Sequence, residues 1–220
     1  MKSSPRCDVL VIDPEPVARL GMITLLKSHA RLRVAGEAET VRTGRELCAK
    51  LKPDIVVIDP AMEGGEGFVL LKDVPRWAPR ARVVAFSAIE DAFFVQRAFS
   101  AGACGYVTRR DPVPALISAV LGAASGERHV SPRIEKVLLD HLAAGSPAAN
   151  HGALGKLSER ELQVFHLLGE GHATRVVSER LGVSVKTVES HQQRIKSKLC
   201  VGSGAELRKR AALFVAGRGA

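Results

Sequence analysis

Aromatic side chains are scarce in these 220 residues: seven Phe, one Tyr and one Trp, 4% of the chain. Proteins that read RNA or single strands stack bases on such rings, so that mode has little to work with here. Cysteine is scarce as well. Cys7, Cys48, Cys104 and Cys200 stand far apart, with no C-x-x-C pair, and neither they nor the seven histidines show metal-ligand spacing. The thiols read as small, mostly buried hydrophobes in a reducing compartment. No run approaches the roughly 18 apolar residues of a membrane span, and the opening MKSSPRCDVLVID has no long apolar segment. A soluble, cytoplasmic protein is expected. Catalytic signatures are missing too: there is no G-x-S-x-G, no H-E-x-x-H and no Walker loop, so the chain does not read as an enzyme. The glycines of EGGEG, residues 63–67, are expected to supply turn geometry in the loop after Asp59.

What is abundant is positive charge. Lys and Arg number 32 against 23 Asp and Glu, a net charge of +9, of which residues 126–220 carry +6. From 183 to 220 there are eight basic residues (Lys186, Arg194, Lys196, Lys198, Arg208, Lys209, Arg210 and Arg218) and only Glu189 and Glu206 to oppose them. Such clustering is the electrostatic footprint of a phosphate-backbone binder.

The same region is written as short capped helices. Ser158 with Glu161 three residues later forms a capping box, Leu162, Phe165 and Leu168 recur at helical spacing, and Gly169 and Gly171 supply the exit. Thr174 is the candidate N-cap of a second helix bearing Val177 and Leu181, and Gly182 stands where a left-handed residue is wanted. Ser184 starts the third. At about 100° per residue, Val185, Val188, Ile195 and Leu199 share one side while Lys186, Glu189, Ser190, Gln193 and Ser197 share the other. The polar side carries groups that bond base edges, flanked by Arg194, Lys196 and Lys198 for phosphates. Its polarity argues against a membrane surface as the partner.

The segment LSERELQVFHLLGEGHATRVVSERLGVSVKTVESHQQRIKSKL resembles the DNA-binding domain of the LuxR/NarL family, with Glu161, Gly171, Leu181, Thr187, Val188, His191 and Leu199 in register. The resemblance implies a four-helix helix-turn-helix domain whose recognition helix is 185–199. It also implies a fourth helix near 204–216 that serves homodimerisation. The base-reading positions fall on Glu189, Ser190 and Gln193, and double-stranded DNA is the implied partner. The DNA-binding residues expected are Thr174, Lys186, Thr187, Glu189, Ser190, Gln193, Arg194, Lys196 and Lys198.

Upstream, apolar runs at Val9–Ile12, Val34–Ala38, Ile55–Ile58, Val83–Phe86 and Gly105–Thr108 alternate with helical stretches such as Val17–Ala30 and Asp91–Ala101. That alternation predicts an α/β domain, a doubly wound, five-stranded parallel sheet with its site at the carboxyl ends of the strands. Asp13, Asp59, Ser87 and Arg109 follow the first, third, fourth and fifth runs. IVVIDPAMEGGEG, FSAIED and AGACGYVTRRD resemble the signature segments of response-regulator receiver domains, and the first segment reads VLVIDPEP. The resemblance implies Asp59 as phosphoacceptor, Ser87 as the phosphate-bonding hydroxyl and Tyr106 as the aromatic switch position. It also implies a histidine kinase or another protein as partner.

Two positions depart from that pattern. Pro14 occupies the place of a direct Mg²⁺ ligand and offers no oxygen, leaving Asp13 and Asp59 as an incomplete metal set, with Glu15 one position displaced. Arg109 replaces the usual Lys. Phosphoryl transfer adds negative charge beside two carboxylates, which Mg²⁺ normally neutralises, so weak or absent phosphorylation of Asp59 is expected. No cofactor is expected beyond the Mg²⁺ that the resemblance brings in. Arg109, with its planar fork, is suited to holding Asp59 in a standing ion pair.

Domains are expected at 1–125 for the receiver, 126–155 for a linker and 156–220 for the DNA reader. The linker holds a helix-like run, Ile134–Leu142, followed by the flexible composition AAGSPAANHGALGK. The chain thus reads as a dimeric, sequence-specific transcription regulator. A conventional phosphorylation-activated regulator, a phosphorelay carrier and a signalling adaptor working through protein contacts stay open as alternatives.

Overall fold

A computed structural model describes residues 6–90, 92–143, 154 and 157–215. Two compact units are present, one built on a sheet and one on the C-terminal helices. The first is built on strands β1 (Cys7–Ile12), β2 (Leu32–Ala38), β3 (Ile55–Ile58), β4 (Arg82–Ser87), β5 (Ala103–Thr108) and β6 (His129–Val130), which alternate along the chain with helices, residues 92–94 and 137–143 of these grouping with the second unit. The helices are α1 (Pro16–Lys27), α2 (Val41–Leu51), α3 (Met62–Trp77), α4 (Ala92–Ser100) and α5 (Pro114–Ser125), with α6 (Pro132–Ala143) following β6. The strand order is β2-β1-β3-β4-β5-β6 and every pairing is parallel.

Helical crossovers cover both faces, which is why β3, Ile-Val-Val-Ile, is buried at all four positions. Val9, Val11, Ile55, Val57, Val84 and Val107 pack with Leu26 of α1 and Leu116, Ala119 and Ala123 of α5 into one cluster. Register then levels the carboxyl ends. Ile12 pairs with Ile58, and Ile58 with Ala85. Past those ends the Asp59 N–H donates to the Ile12 carbonyl at 3.1 Å and the Arg109 N–H to the Ser87 carbonyl at 2.9 Å.

The sheet differs from expectation in having six strands. β6 lies beyond residue 125 and pairs His129 with Gly105 and Val130 with Tyr106. Two residues are too few to show an alternation, so β6 is invisible to periodicity. EGGEG lies in the first turns of α3 and not in a loop. A Cβ at Gly67 would sit 2.4 Å from the Asp59 carbonyl oxygen, so this glycine permits the helix to pass close to the site loop. The run Ile134–Leu142 falls inside α6, which begins at Pro132, a residue suited to a helix's first turn. The connector after it lies outside the described residues apart from Ala143 and Leu154.

The second unit contains α7 (Glu159–Gly169), α8 (Thr174–Arg180), α9 (Val185–Leu199) and α10 (Gly204–Val215). The Ser158–Glu161 capping box is formed in both directions, and Gly171 and Gly182 take φ of 87° and 62°. Gly169 also serves packing: a Cβ there would meet the Ala211 carbonyl oxygen of α10 at 2.4 Å. Phe165 and Phe214 meet at a 5.6 Å centroid distance, their rings tilted by 50°, across the same pair of helices. Three details correct the sequence reading. The N-cap of α8 is Ala173, with Thr174 the first helical residue. Val185 is 41% exposed, because the first turn of α9 runs past the packing surface. Cys200 is exposed at the left-handed end of α9, Cys7 and Cys104 are half-buried, and only Cys48 is fully buried. No described helix is long and apolar enough to cross a membrane.

Candidate functional site

At the carboxyl edge of the sheet, four side chains from four strand ends converge. Asp13 is completely buried, Ser87 likewise, and Asp59 nearly so. Asp59 Oδ1 accepts from the Ser87 hydroxyl at 3.0 Å and from the Ala61 N–H at 2.9 Å. Asp13 Oδ1 accepts from the Glu15 N–H at 2.8 Å. The other oxygen of each carboxylate faces Arg109. A single guanidinium nitrogen, Nη2, lies 2.9 Å from Asp13 Oδ2 and 2.9 Å from Asp59 Oδ2. It reaches both carboxylates from one terminal nitrogen, whose two N–H groups suffice for two bonds.

Asp13 and Asp59 both pair with Arg109, and burial pushes the Asp13 carboxyl up to about 6, with Arg109 and the Glu15 N–H opposing the rise and Asp59 adding to it. Mg²⁺ asks for six oxygens in near-ideal octahedral geometry at about 2.0–2.1 Å. The residues present do not fit that demand: Pro14 gives no side-chain oxygen, Glu15 is exposed as the N-cap of α1, and the position between Asp13 and Asp59 is taken by Arg109. Among the described residues, no group of three or more His, Cys, Asp or Glu side chains is placed to hold a metal. Tyr106 is fully buried in β5, its carbonyl accepting from the Ser131 N–H at 3.4 Å.

In the helical unit, Val188, Ile195 and Leu199 are buried and fix the opposite face of α9 outward. Lys186, Thr187, Glu189, Ser190, Gln193 and Arg194 are exposed along it, with Lys196 half-buried at its edge. Ser184 caps the helix by accepting from the Thr187 N–H at 3.1 Å.

Two expected contact residues have internal duties. Lys198 Nζ lies 2.6 Å from Glu161 Oε2, tying the end of α9 to the start of α7. Burial works against the Glu161 anion, but hydrogen bonds from Lys198 and Ser158 outweigh it and hold the carboxyl below its usual range. The Thr174 hydroxyl accepts from Gln192 Nε2 at 3.1 Å and so joins α8 to α9. The sequence does not single out Gln192, and it shows Arg208 only as one of the basic cluster, whereas its Nη1 donates to the His172 carbonyl at 2.8 Å. Nothing local marks them, since their partners are 18 and 36 positions away.

Comparison with known proteins agrees with this division. A model of the response regulator receiver domain matches residues 9–121, and one of bacterial regulatory proteins of the luxR family matches residues 155–211. The chain is 32% identical over 199 residues to response regulator GacA of Pseudomonas aeruginosa, covering 90% of this chain and 92% of that protein. It is 29% identical to the transcriptional regulatory protein LiaR of Bacillus subtilis, covering 88% and 90%. Its fold is shared by RcsB of Salmonella enterica serovar Typhimurium, solved on promoter P1flhDC with phosphomimetic BeF3⁻. The TM-score is 0.71 at 21% identity, covering 94% of this chain and 98% of that one.

Proposed function

Because the chain belongs to the LuxR/NarL family of response regulators, we propose that it binds promoter DNA as a homodimer with little or no Mg²⁺-dependent phosphorylation of Asp59. The output side is carried by α9, whose polar, basic face stands free while its apolar face is buried. Lys186, Arg194 and Lys196 neutralise phosphates; Glu189, Ser190 and Gln193 address base edges. Two copies place two such helices on paired half-sites about one helical turn apart. The protein acts in the cytoplasm.

On the input side, Arg109 stands where the family has Lys and sets its cation against both Asp13 and Asp59, the carboxylates a metal would neutralise. It is a fixture of the chain and not a ligand that comes and goes. With Asp13 and Asp59 already engaged by it, an incoming phosphoryl group must displace an ion pair before any charge is neutralised. Control therefore passes to contacts that a partner protein, a histidine kinase or another, makes with the receiver. Intact mass after incubation with acetyl phosphate and Mg²⁺ tests the input claim: no gain is expected, and stoichiometric addition at Asp59 overturns it. Salt-dependent binding that discriminates a promoter fragment from random DNA tests the output claim; equal affinity for both leaves only a protein-contact adaptor.

A further inference from the structure

Where α9 addresses base edges, its face is short of hydrogen-bond donors. Glu189 is exposed, and among the described residues no hydrogen bond or ion pair engages its carboxylate, which accepts only. Ser190, the next residue, has a hydroxyl proton but spends it on the Lys186 carbonyl oxygen at 2.9 Å, so its lone pairs are what it presents outward. On the flank, the Thr187 hydroxyl is shared with Ser184 at 2.8 Å. Gln193, one turn on, both donates and accepts.

A surface of acceptors selects bases that donate. In the major groove the donors are N4 of cytosine and N6 of adenine, whereas guanine and thymine show only acceptors there. A carboxylate against O4 of thymine or O6 of guanine meets another electron-rich atom and no proton. Adenine places its N7 acceptor beside its amino group, and cytosine does not. Cytosine is therefore the base that a free carboxylate suits best.

We propose that Glu189 is a specificity-determining residue of this protein, selecting cytosine at one position of each half-site, with Ser190 accepting from a neighbouring amino group. The inference rests on α9 being the reading helix and goes beyond it by naming the base. Selection of tight binders from a random duplex library, with the full chain and with Glu189→Ala, tests it. The wild-type motif is expected to contain a cytosine whose change to thymine lowers affinity about 10- to 100-fold. That one preference should vanish in Glu189→Ala while the others persist. Placing N4-methylcytosine at that position, which keeps one N4–H for the pair with guanine and sets a methyl group where the groove-facing hydrogen stood, should weaken wild-type binding by a similar factor and leave Glu189→Ala little changed. A motif whose every preference survives in Glu189→Ala, or undiminished wild-type binding to the methylated site, overturns the role of Glu189 alone. If neither protein enriches any sequence, the DNA-reading function itself falls.

Discussion

Replacing Arg109 with Ala removes the cation that bridges two buried carboxylates, and the consequence is calculable. A unit charge pair near 4 Å is worth about 4 kcal/mol at an effective dielectric of about 20, and Arg109 makes two such pairs. Breaking a buried pair by deleting one partner typically costs about 3–5 kcal/mol, because the remaining charge is left uncompensated. The folded variant can relieve this by binding a proton. Asp13 is already pushed up to about 6, with Arg109 among the influences that lower it, so losing Arg109 raises it further. A carboxyl whose folded value lies above its unfolded one stabilises the fold at low pH, and that stability is lost as pH rises through the folded value. The deficit of Arg109→Ala should therefore be about 3–5 kcal/mol at pH 8 and shrink steadily toward pH 5. Urea unfolding of both proteins across that range, followed by the sheet unit's own signal, measures it. Adding Asp13→Asn to the variant should restore part of the loss at pH 8. A deficit under about 1 kcal/mol that does not vary with pH would show that Arg109 is an ordinary surface ion pair.

Restoring the family's donors should restore its chemistry. The double variant Pro14→Asp with Arg109→Lys is expected to gain mass from acetyl phosphate in a Mg²⁺-dependent way, and failure to do so places the block elsewhere in the site. Lys196→Ala should weaken DNA binding evenly across sequences and lower the salt slope by about one. Lys198→Ala should instead cost about 1.5–3 kcal/mol of stability by stranding buried Glu161. Glu161 is held below its usual range, so that contribution is present at neutral pH and fades as pH falls below about 4.5 and through its folded value. Urea midpoints against pH separate the two lysines, and identical behaviour would contradict the placement of Lys198. Gly169→Ala puts a methyl group 2.4 Å from the Ala211 carbonyl oxygen and should destabilise the helical unit by about 1–3 kcal/mol, read as a lower urea midpoint.

Much of this architecture is legible in the chain because its signals are local. The start of α9 follows from Ser184 and β3 from four consecutive β-branched residues, whereas the end of α9, at left-handed Cys200, came only from the family resemblance. The converging residues of the sheet edge were also readable, since each stands directly after an apolar run. What could not be read depends on partners distant in sequence. Lys198 looks like its neighbours Arg194 and Lys196 until Glu161, 37 residues earlier, is folded against it. Val185 fits the apolar stripe by angle but lies beyond the surface the stripe covers. Arg109 was expected to pair with Asp59; that the same nitrogen also holds Asp13, 96 positions away, is a fact of strand register alone.

The reading of an intact output joined to a replaced input is tested most directly by DNA affinity on one preparation, split with and without acetyl phosphate and Mg²⁺. Equal affinity for the selected half-site pair in both halves, with no mass added at Asp59, is the expected result. A tightening of binding that tracks stoichiometric phosphorylation of Asp59 would contradict it.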